Sequence, residues 1–425
     1  MLTAKVLRRL LGVERTVVER VEFDGEAGAL VAHVRPRRGA QRRCGRCGRR
    51  AGGYDQGEGR RRWRGLDWGV VPVFLEADAP RVDCPEHGPT VIAVPWARHG
   101  AGHTYAFDDQ VAWLAVRTSK TAVQALMRIA WRTVGAICAR VAADAGARVD
   151  RWANLRRIGI DEISYKRGHK YLTVVVDHDS GLLVWAAPGR DKKTLRRFFD
   201  ALGEQRCQQI THVSADAASW IATVVAERCP NAVRGADAFH VVAWGTEALD
   251  QVRRDAWNAA RGGKGGATDE SKMLKKARWA LWRNPQDLTQ AQQAKLDWLA
   301  KTHPRVHRAW ALKEGLRMVF TLARQGFKQA AKDALDKWLS WARRCRIPAF
   351  VDLQRRVTIH VPAIHISIDH DLSNGLVESV NTKLRLLTRM AFGYRDPWAL
   401  IGLGMLALGG LCPPLPGRNI TVLTR

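Results

Sequence analysis

Apolar residues change their spacing several times along the chain, and each change marks a new kind of element. Up to about residue 100 the apolar runs are short and β-like, as in Val70-Val71-Pro72-Val73-Phe74, and Gly- and Arg-rich stretches separate them. From Phe107 to Ala145 apolar positions recur every three or four residues, which predicts helices. The pattern then turns to strands at Ile158-Gly159-Ile160, Tyr171 to Val176 and Leu182 to Trp185, with Asp179-Ser180-Gly181 as a hairpin turn. Asp191 opens a helix that places Leu195, Phe198, Phe199 and Leu202 on one face. A fourth strand, Ile210 to Ser214, leads to Asp216. A helix over about Ser219 to Arg228 and a fifth strand over about Ala232 to Gly235 follow.

Three strands, helix, strand, helix, strand is the order of an RNase H-like α/β core. Residues from about 243 to 370 break it, being mainly helical and rich in Trp, with a Gly-Lys stretch from Arg261 to Ala267. Trp279, Trp282, Trp298, Trp310, Trp338 and Trp341 read mostly as core of this insert; one or two could stack on bases, and the sequence does not say which. The expected division is an N-terminal module over 1–100, a helical segment over 101–150, the first part of the core over 151–242, an all-helical insertion over 243–370, and the last part of the core over 371–425. The longest apolar stretch, Trp398 to Cys412, contains four glycines. It falls short of the roughly 20 residues that a membrane-spanning helix needs, so a buried helix is expected.

Charge narrows the function. Lys and Arg outnumber Asp and Glu by 69 to 41, a net +28. A surplus of that size favours a polyanion, because each phosphate contact releases counterions from nucleic acid. No basic amphipathic helix followed by an anchor points to a membrane. Met1 to Val13 is interrupted by Lys5, Arg8 and Arg9 and does not read as a secretory signal. With eight scattered cysteines and no secretory context, disulfides are not expected; the expected location is a reducing cytoplasm.

Four residues suggest a metal. Cys44-Gly-Arg-Cys47 and Cys84-Pro-Glu-His87 form two knuckles separated by a β-rich stretch, the pattern of a tetrahedral Cys3His zinc site. Four protein ligands leave no open position, so the Zn2+ would be structural; His99 and His103 are fallback ligands. Around the knuckles, twelve arginines between Arg35 and Arg64 stand against only Asp55 and Glu58. Arg42, Arg43, Arg61 and Arg62 are therefore candidate phosphate contacts, the plain alternative being a solvated surface. Further on, Thr118 to Met127 and Thr133 to Cys138 fit a helix-turn-helix. Its second helix would run from about Trp131 to Ala142, with Arg128, Arg132 and Arg140 near its exposed side.

Carboxylates supply the candidate chemistry. Asp161 follows the first strand of the core, Asp216 follows the fourth, and these strands are neighbours in an RNase H-like sheet. Glu378 lies on a later helix that Ser373 or Asn374 can cap. Leu376, Val377, Val380, Leu384 and Leu387 line that helix's apolar face, and Glu378, Asn381 and Arg385 fall on the other side, toward solvent or toward the sheet edge. Glu162, Asp177 and Asp179 compete near the first strand, and spacing alone does not choose among them.

The blocks around these residues are more specific. Ile160-Asp161-Glu162 with Tyr165-Lys166-Arg167-Gly168, Val213-Ser214-Ala215-Asp216, Ala236-Asp237-Ala238-Phe239-His240, Ser373-Asn374-Gly375-Leu376-Val377-Glu378 and Arg389 to Arg395 resemble the ISL-three family of bacterial insertion-sequence DDE transposases over nearly the whole length. The chain departs from the family pattern at Ala215 and Ala238, where bulkier residues are usual. The resemblance implies that Asp161, Asp216 and Glu378 form the catalytic triad on two Mg2+ or Mn2+ ions. Asp237 and His240 would contact the scissile phosphate or support a ligand, unless they form a structural hydrogen bond. Asn381 and Arg385 would be DNA contacts. The implied partners are terminal inverted repeats and target DNA; because two DNA ends must be brought together, a homodimer is expected from the mechanism. The rival readings, a non-catalytic zinc-containing regulator and a stand-alone RNase H-like nuclease or resolvase, leave the triad blocks or the DNA-binding modules without a purpose.

Overall fold

A computed structural model describes residues 4–215, 218–261, 268–372 and 374–418. Asp216, Ser373 and residues 262–267 lie outside the described residues. Packing divides the chain into two units, Met1–Asp150 with Leu387–Arg425, and Arg151–Leu386. The block expected over 371–425 is thus divided at Leu387.

In the first unit, α1 (Ala4–Leu10) precedes β1 (Thr16–Asp24), β2 (Ala29–Pro36), β3 (Gly52–Asp55), β4 (Arg60–Arg64), β5 (Val73–Asp78), β6 (Arg81–Cys84) and β7 (Gly88–Val91). These strands form a four-stranded sheet in the order β1-β2-β5-β4 and a three-stranded sheet in the order β3-β6-β7. The apolar run at Val70 begins as a turn, because Trp68 and Val71 bridge to each other, and β5 starts only at Val73. Trp63 and Trp96 meet edge to face at 5.5 Å in the sheet's core, beside buried Val34 and Leu75.

Three helices follow: α2 (Tyr105–Ala115), α3 (Lys120–Met127) and α4 (Trp131–Arg148). The side chains of Thr104 and Ser119 cap α2 and α3, each accepting from a first-turn N–H. Arg128 ends α3 in the left-handed region, at φ 54°. The second helix of the expected pair continues past Ala142 to Arg148.

The second unit begins with β8 (Arg157–Lys166), β9 (Lys170–Asp177), β10 (Leu183–Pro188), α5 (Lys192–Leu202), α6 (Glu204–Cys207), β11 (His212–Ala215), α7 (Ser219–Arg228) and β12 (Val233–Ala236). The sheet order is β10-β9-β8-β11-β12. β8 to β10 run antiparallel, and β11 is parallel to both β8 and β12. Ile158 and Ile160 of β8 join Val213, Leu195, Phe198, Ile221 and Val224 in one core. Alternation along β8 then sends Gly159 and Asp161 to the opposite face.

Seven helices follow β12: α8 (Ala238–Ala259), α9 (Asp269–Lys276), α10 (Arg278–Trp282), α11 (Gln290–Thr302), α12 (Pro304–Arg324), α13 (Lys328–Arg344) and α14 (Pro348–Asp369). They carry their own core, including Leu249, Leu281, Leu299, Leu312, Leu335 and Phe350. Trp338 is buried there and donates its indole N–H to the Leu312 carbonyl at 2.7 Å. Trp282, Trp298 and Trp310 pack on the core's edge, whereas Trp279 is 64% exposed and Trp341 39%.

After α15 (Gly375–Met390) comes α16 (Pro397–Leu408), which packs along α4 in the first unit. Leu400, Leu403, Met405 and Leu406 are buried, as expected for that apolar stretch. Among the described residues no helix is long and apolar enough to cross a membrane.

Candidate functional site

The face of the second unit's sheet opposite α5 and α7 receives α15. Gly159 lets it approach: a Cβ there would stand 2.3 Å from Val377 Cγ2, 3.0 Å from His178 Nε2 and 3.2 Å from Ser214 Oγ. Ser214 is the partner of Gly159 across the β8–β11 ladder. Its hydroxyl donates to Asn374 Oδ1 and stands 2.7 Å from His178 Nε2. Because the Ser214 proton goes to Asn374, His178 Nε2 donates to Ser214. Burial lowers the pKa of His178, and a neutral ring suits that part. Seven residues beyond Asn374, Asn381 is 1% exposed and donates its amide to Asp161 Oδ2 at 2.7 Å. Asp161 Oδ1 accepts from the Glu162 N–H at 2.8 Å.

Two asparagines of one helix therefore fasten it to β8 and β11. Glu378 lies between them and is exposed. Among the described residues no ion pair holds Glu378. Asp216 would follow directly on β11, but it lies outside the described residues. The capping role expected of Asn374 is not its side chain's, since Oδ1 faces Ser214; its carbonyl accepts the Glu378 N–H at 2.8 Å. Asn381 needs a correction too. It was expected opposite the apolar face as a DNA contact, but it is buried against Asp161. Arg385 is exposed.

The competing acids have other partners. Glu162 faces Arg190 at 3.3 Å, and Asp179 faces Arg157 at 3.5 Å. Asp177 accepts from the Asp179 and Ser180 N–H groups and closes the hairpin turn. Asp237 caps α8 through the Phe239 N–H at 3.0 Å and holds His240 Nδ1 at 2.6 Å. A cleft of about 520 Å3, lined by Asp237, Phe239, Arg317, Arg324, Leu372 and Glu378 among others, opens beside them.

In the first unit one ligand atom each from Cys44, Cys47, Cys84 and His87 lies within 4.8 Å of the others. The Sγ atoms of Cys47 and Cys84 are 3.7 Å apart, and His87 Nδ1 is 3.8 Å from Cys44 Sγ and 3.7 Å from Cys84 Sγ. A tetrahedral ion with Zn–S near 2.3 Å and Zn–N near 2.0 Å spaces its ligands by about 3.5–3.8 Å, so the cluster fits. The His87 ring, closest to the Cys84 thiol, lowers its pKa and favours the thiolate that binds metal. His87 completes the set. The fallback His103 stacks on Phe107, with ring centroids 5.0 Å apart, and burial lowers its pKa to about 4.

Three family models match the chain. One described as a transposase, of the ISL3 DDE type, covers residues 158–401. One for the zinc finger of the IS204/IS1001/IS1096/IS1165 transposases covers residues 40–87, and one for the helix-turn-helix domain of the ISL3 transposase family covers residues 92–142. The chain belongs to the ISL3 transposase family. Transposases for insertion sequence element IS1557 from two strains of Mycobacterium tuberculosis, CDC 1551 and H37Rv, are each 63% identical to it, over 99% of this chain and 98% of theirs. The transposase for IS1001 of Bordetella parapertussis is 28% identical over 93% of this chain and 96% of its own.

As an ISL3 transposase, the chain is a DNA-cleaving and strand-transferring enzyme with a structural zinc ribbon and a helix-turn-helix that binds DNA. Several arginines expected to face phosphate are engaged within the protein. Arg62 pairs with Glu76 at 2.7 Å and with Asp24 at 3.3 Å. Counting acids only between Arg35 and Arg64 missed these partners, which β1 and β5 supply. Arg43 donates to the Gly48 carbonyl and Arg61 to that of Ala101. Arg128 pairs with Asp67. Arg140 is half-buried at 3.5 Å from Asp108 and not on the exposed side of α4. Arg42 and Arg132 are exposed.

Sequence reasoning missed His178, Ser214 and the clearance at Gly159. Ser214 stood inside a quoted block and Gly159 in the quoted first strand. Only the ladder pairing and the docked helix reveal what they do.

Proposed function

We propose that this transposase cuts and joins DNA with a two-metal site on an RNase H-like core, into which α8–α14 are inserted. The sheet order β10-β9-β8-β11-β12 supports that core. Asp161, Asp216 and Glu378 hold the ions. The observation that carries the reading is the Asn381–Asp161 hydrogen bond, which ties the Glu378 helix to the Asp161 strand. A neutral amide and a backbone N–H orient Asp161, while Arg190 faces the neighbouring Glu162. Carboxylates are hard ligands suited to Mg2+ or Mn2+. When bound, such ions polarise phosphate oxygens and raise the acidity of the attacking water or hydroxyl.

The chain's own residues do the placing. The α15 anchors keep Glu378 on the Asp161 face, and Asp237, which lines the 520 Å3 cleft with Glu378, fixes the His240 ring for a contact to the scissile phosphate. Arg42, Arg132 and Arg385 are exposed for phosphate contact. The zinc ribbon and helix-turn-helix recognise the terminal inverted repeats. Hydrolysis at the element end frees a 3′-hydroxyl, which then attacks the phosphorus of a target phosphodiester, forming a new P–O bond while the target strand's 3′-oxygen leaves as a hydroxyl. Two ends must be joined, so the protein works as a homodimer at the nucleoid. The test is Asp161→Asn and Glu378→Gln with DNA from the gene's flanks and Mg2+. Both are expected to bind those ends normally and to cut at least about 100-fold more slowly, a loss of roughly 3 kcal/mol or more. Metal-dependent cleavage retained by either variant would refute the assignment.

A further inference from the structure

The sequence leaves open which tryptophan of the helical region, if any, meets DNA. We infer that α9 and α10 form a second DNA contact, where Trp279 stacks on an unpaired base while Lys275, Lys276 and Arg283 hold the adjoining phosphates. The inference is independent of the metal-site assignment.

Three observations converge on this surface. First, from Ser271 to Gln286 the chain has Lys272, Lys275, Lys276, Arg278 and Arg283 and no acidic residue. Lys272 pairs with Asp269 at 2.9 Å. Lys275, Lys276 and Arg283 are exposed, and Arg283 makes a single 3.3 Å contact to the Gln292 side-chain carbonyl. Second, Trp279 is 64% exposed, the most of the six tryptophans singled out in this region. Its ring meets Trp282 edge to face at 5.8 Å, yet Trp282 packs on the helical core and Trp279 does not, so core packing does not account for the exposed indole. Third, Arg278 lies 3.9 Å from the Trp282 ring centre and 5.5 Å from that of Trp279, and its buried Nε has no hydrogen-bond partner. The guanidinium places a cation beside an exposed indole.

Chemistry selects the occupant. A second copy of a chain carrying +28 would bring like charge to a cationic strip. DNA brings phosphates for the lysines and a π-face for the indole. Bases inside an intact duplex offer no free face, whereas an unpaired base beside a cut does, and strand cleavage is this enzyme's reaction.

The experiment measures binding of the full-length protein to two labelled probes, a blunt duplex and the same duplex with an unpaired 3′ tail. Trp279→Ala is expected to weaken binding to the tailed probe by about tenfold and Trp279→Phe by less than about threefold, with the blunt duplex unaffected. Lys275→Ala with Lys276→Ala should flatten the salt dependence on both probes, lowering the log–log slope by about 1.4–1.8. The melting temperature of Trp279→Ala should stay unchanged. Unaltered tailed-probe affinity in Trp279→Ala overturns the inference, as does an equal loss on both probes or an unchanged salt slope in the lysine variant. A drop in oligomer mass without loss of DNA affinity would also overturn it, by assigning the surface to a second copy.

Discussion

The zinc ribbon and the proposed catalytic metal site of this transposase are built in opposite ways. In the zinc ribbon all four ligands lie between Cys44 and His87, and neighbouring turns and strands bring them within 4.8 Å of one another. In the proposed catalytic site Asp161 and Glu378 are separated by seven helices of a different core, and what joins their elements is a pair of buried asparagines. The first site is specified by ligand spacing. The second is specified by how one helix docks, and its ligands are only as well placed as that docking.

The largest expected effect therefore belongs to the ribbon. Removing zinc with a chelator, or replacing Cys44 by Ser, should unfold the β-rich module, since structural zinc contributes on the order of 10 kcal/mol to such small domains. Proteolysis near residues 40–90 would read it out. Full protease resistance without zinc would break the contrast from that side.

Gly159→Val tests the other side. The valine Cβ would stand 2.3 Å from Val377, so α15 must shift or the sheet must deform. A destabilisation of about 3 kcal/mol is expected, measured by denaturant unfolding, with DNA cleavage lost. Wild-type stability in the variant would show that α15 does not dock as described.

How much of this was legible beforehand follows from the same contrast. Alternation and helical periodicity placed β8 to β12 near the expected runs, whereas the first hundred residues and the inserted helices were read only as β-rich and as mainly helical. The ribbon ligands could be read directly, because C-x-x-C and C-x-x-H carry their geometry within a turn. Asp161 and Glu378 could not be separated from Glu162, Asp177 or Asp179 by spacing, and the family blocks were needed. In the structure Glu162 faces Arg190, Asp179 faces Arg157 and Asp177 closes a turn. A helical wheel set Asn381 opposite the apolar face but left open whether that side meets solvent or the sheet edge. A buried amide opposite a buried carboxylate cannot be told from a solvated one until the partner strand is known. The partners of Arg62 escaped the local count for a related reason, its acids lying on other strands.

Between these extremes stands a carboxylate placed quite differently from Asp161. Asp108 is fully buried in the first unit, with Arg98 at 3.6 Å, Arg140 at 3.5 Å, His103 at 3.6 Å and Asp109 nearby. Burial is the main cause raising its pKa to about 6, against the pull of Arg140 and Arg98. The folded form thus holds its proton more tightly than the unfolded chain. Its contribution is full below about pH 4 and is lost as pH rises to about 6, on the order of 1–3 kcal/mol. Comparing Asp108→Asn with the parent cancels the acid lability of zinc. The stability difference should change across pH 4–6 and be flat above; a constant difference would refute the linkage.

The smallest effect is expected at Asn381. Asn381→Ala removes one hydrogen bond that orients Asp161 and should slow cleavage by about 10–100-fold, as supporting contacts around metal ligands do, with affinity for element ends unchanged. Asn381→Asp keeps the size but sets a carboxylate against a carboxylate, and should do no better. Equal losses of binding and cleavage in Asn381→Ala would return this residue to the DNA interface.

The clearance at Gly159 also has a genetic consequence. Every missense change at that codon adds at least a Cβ, and the space for one is already taken. A screen for immobile copies of the element should therefore recover position 159 alongside the acidic positions, although it contributes no reactive group. A search for reactive side chains would never find it.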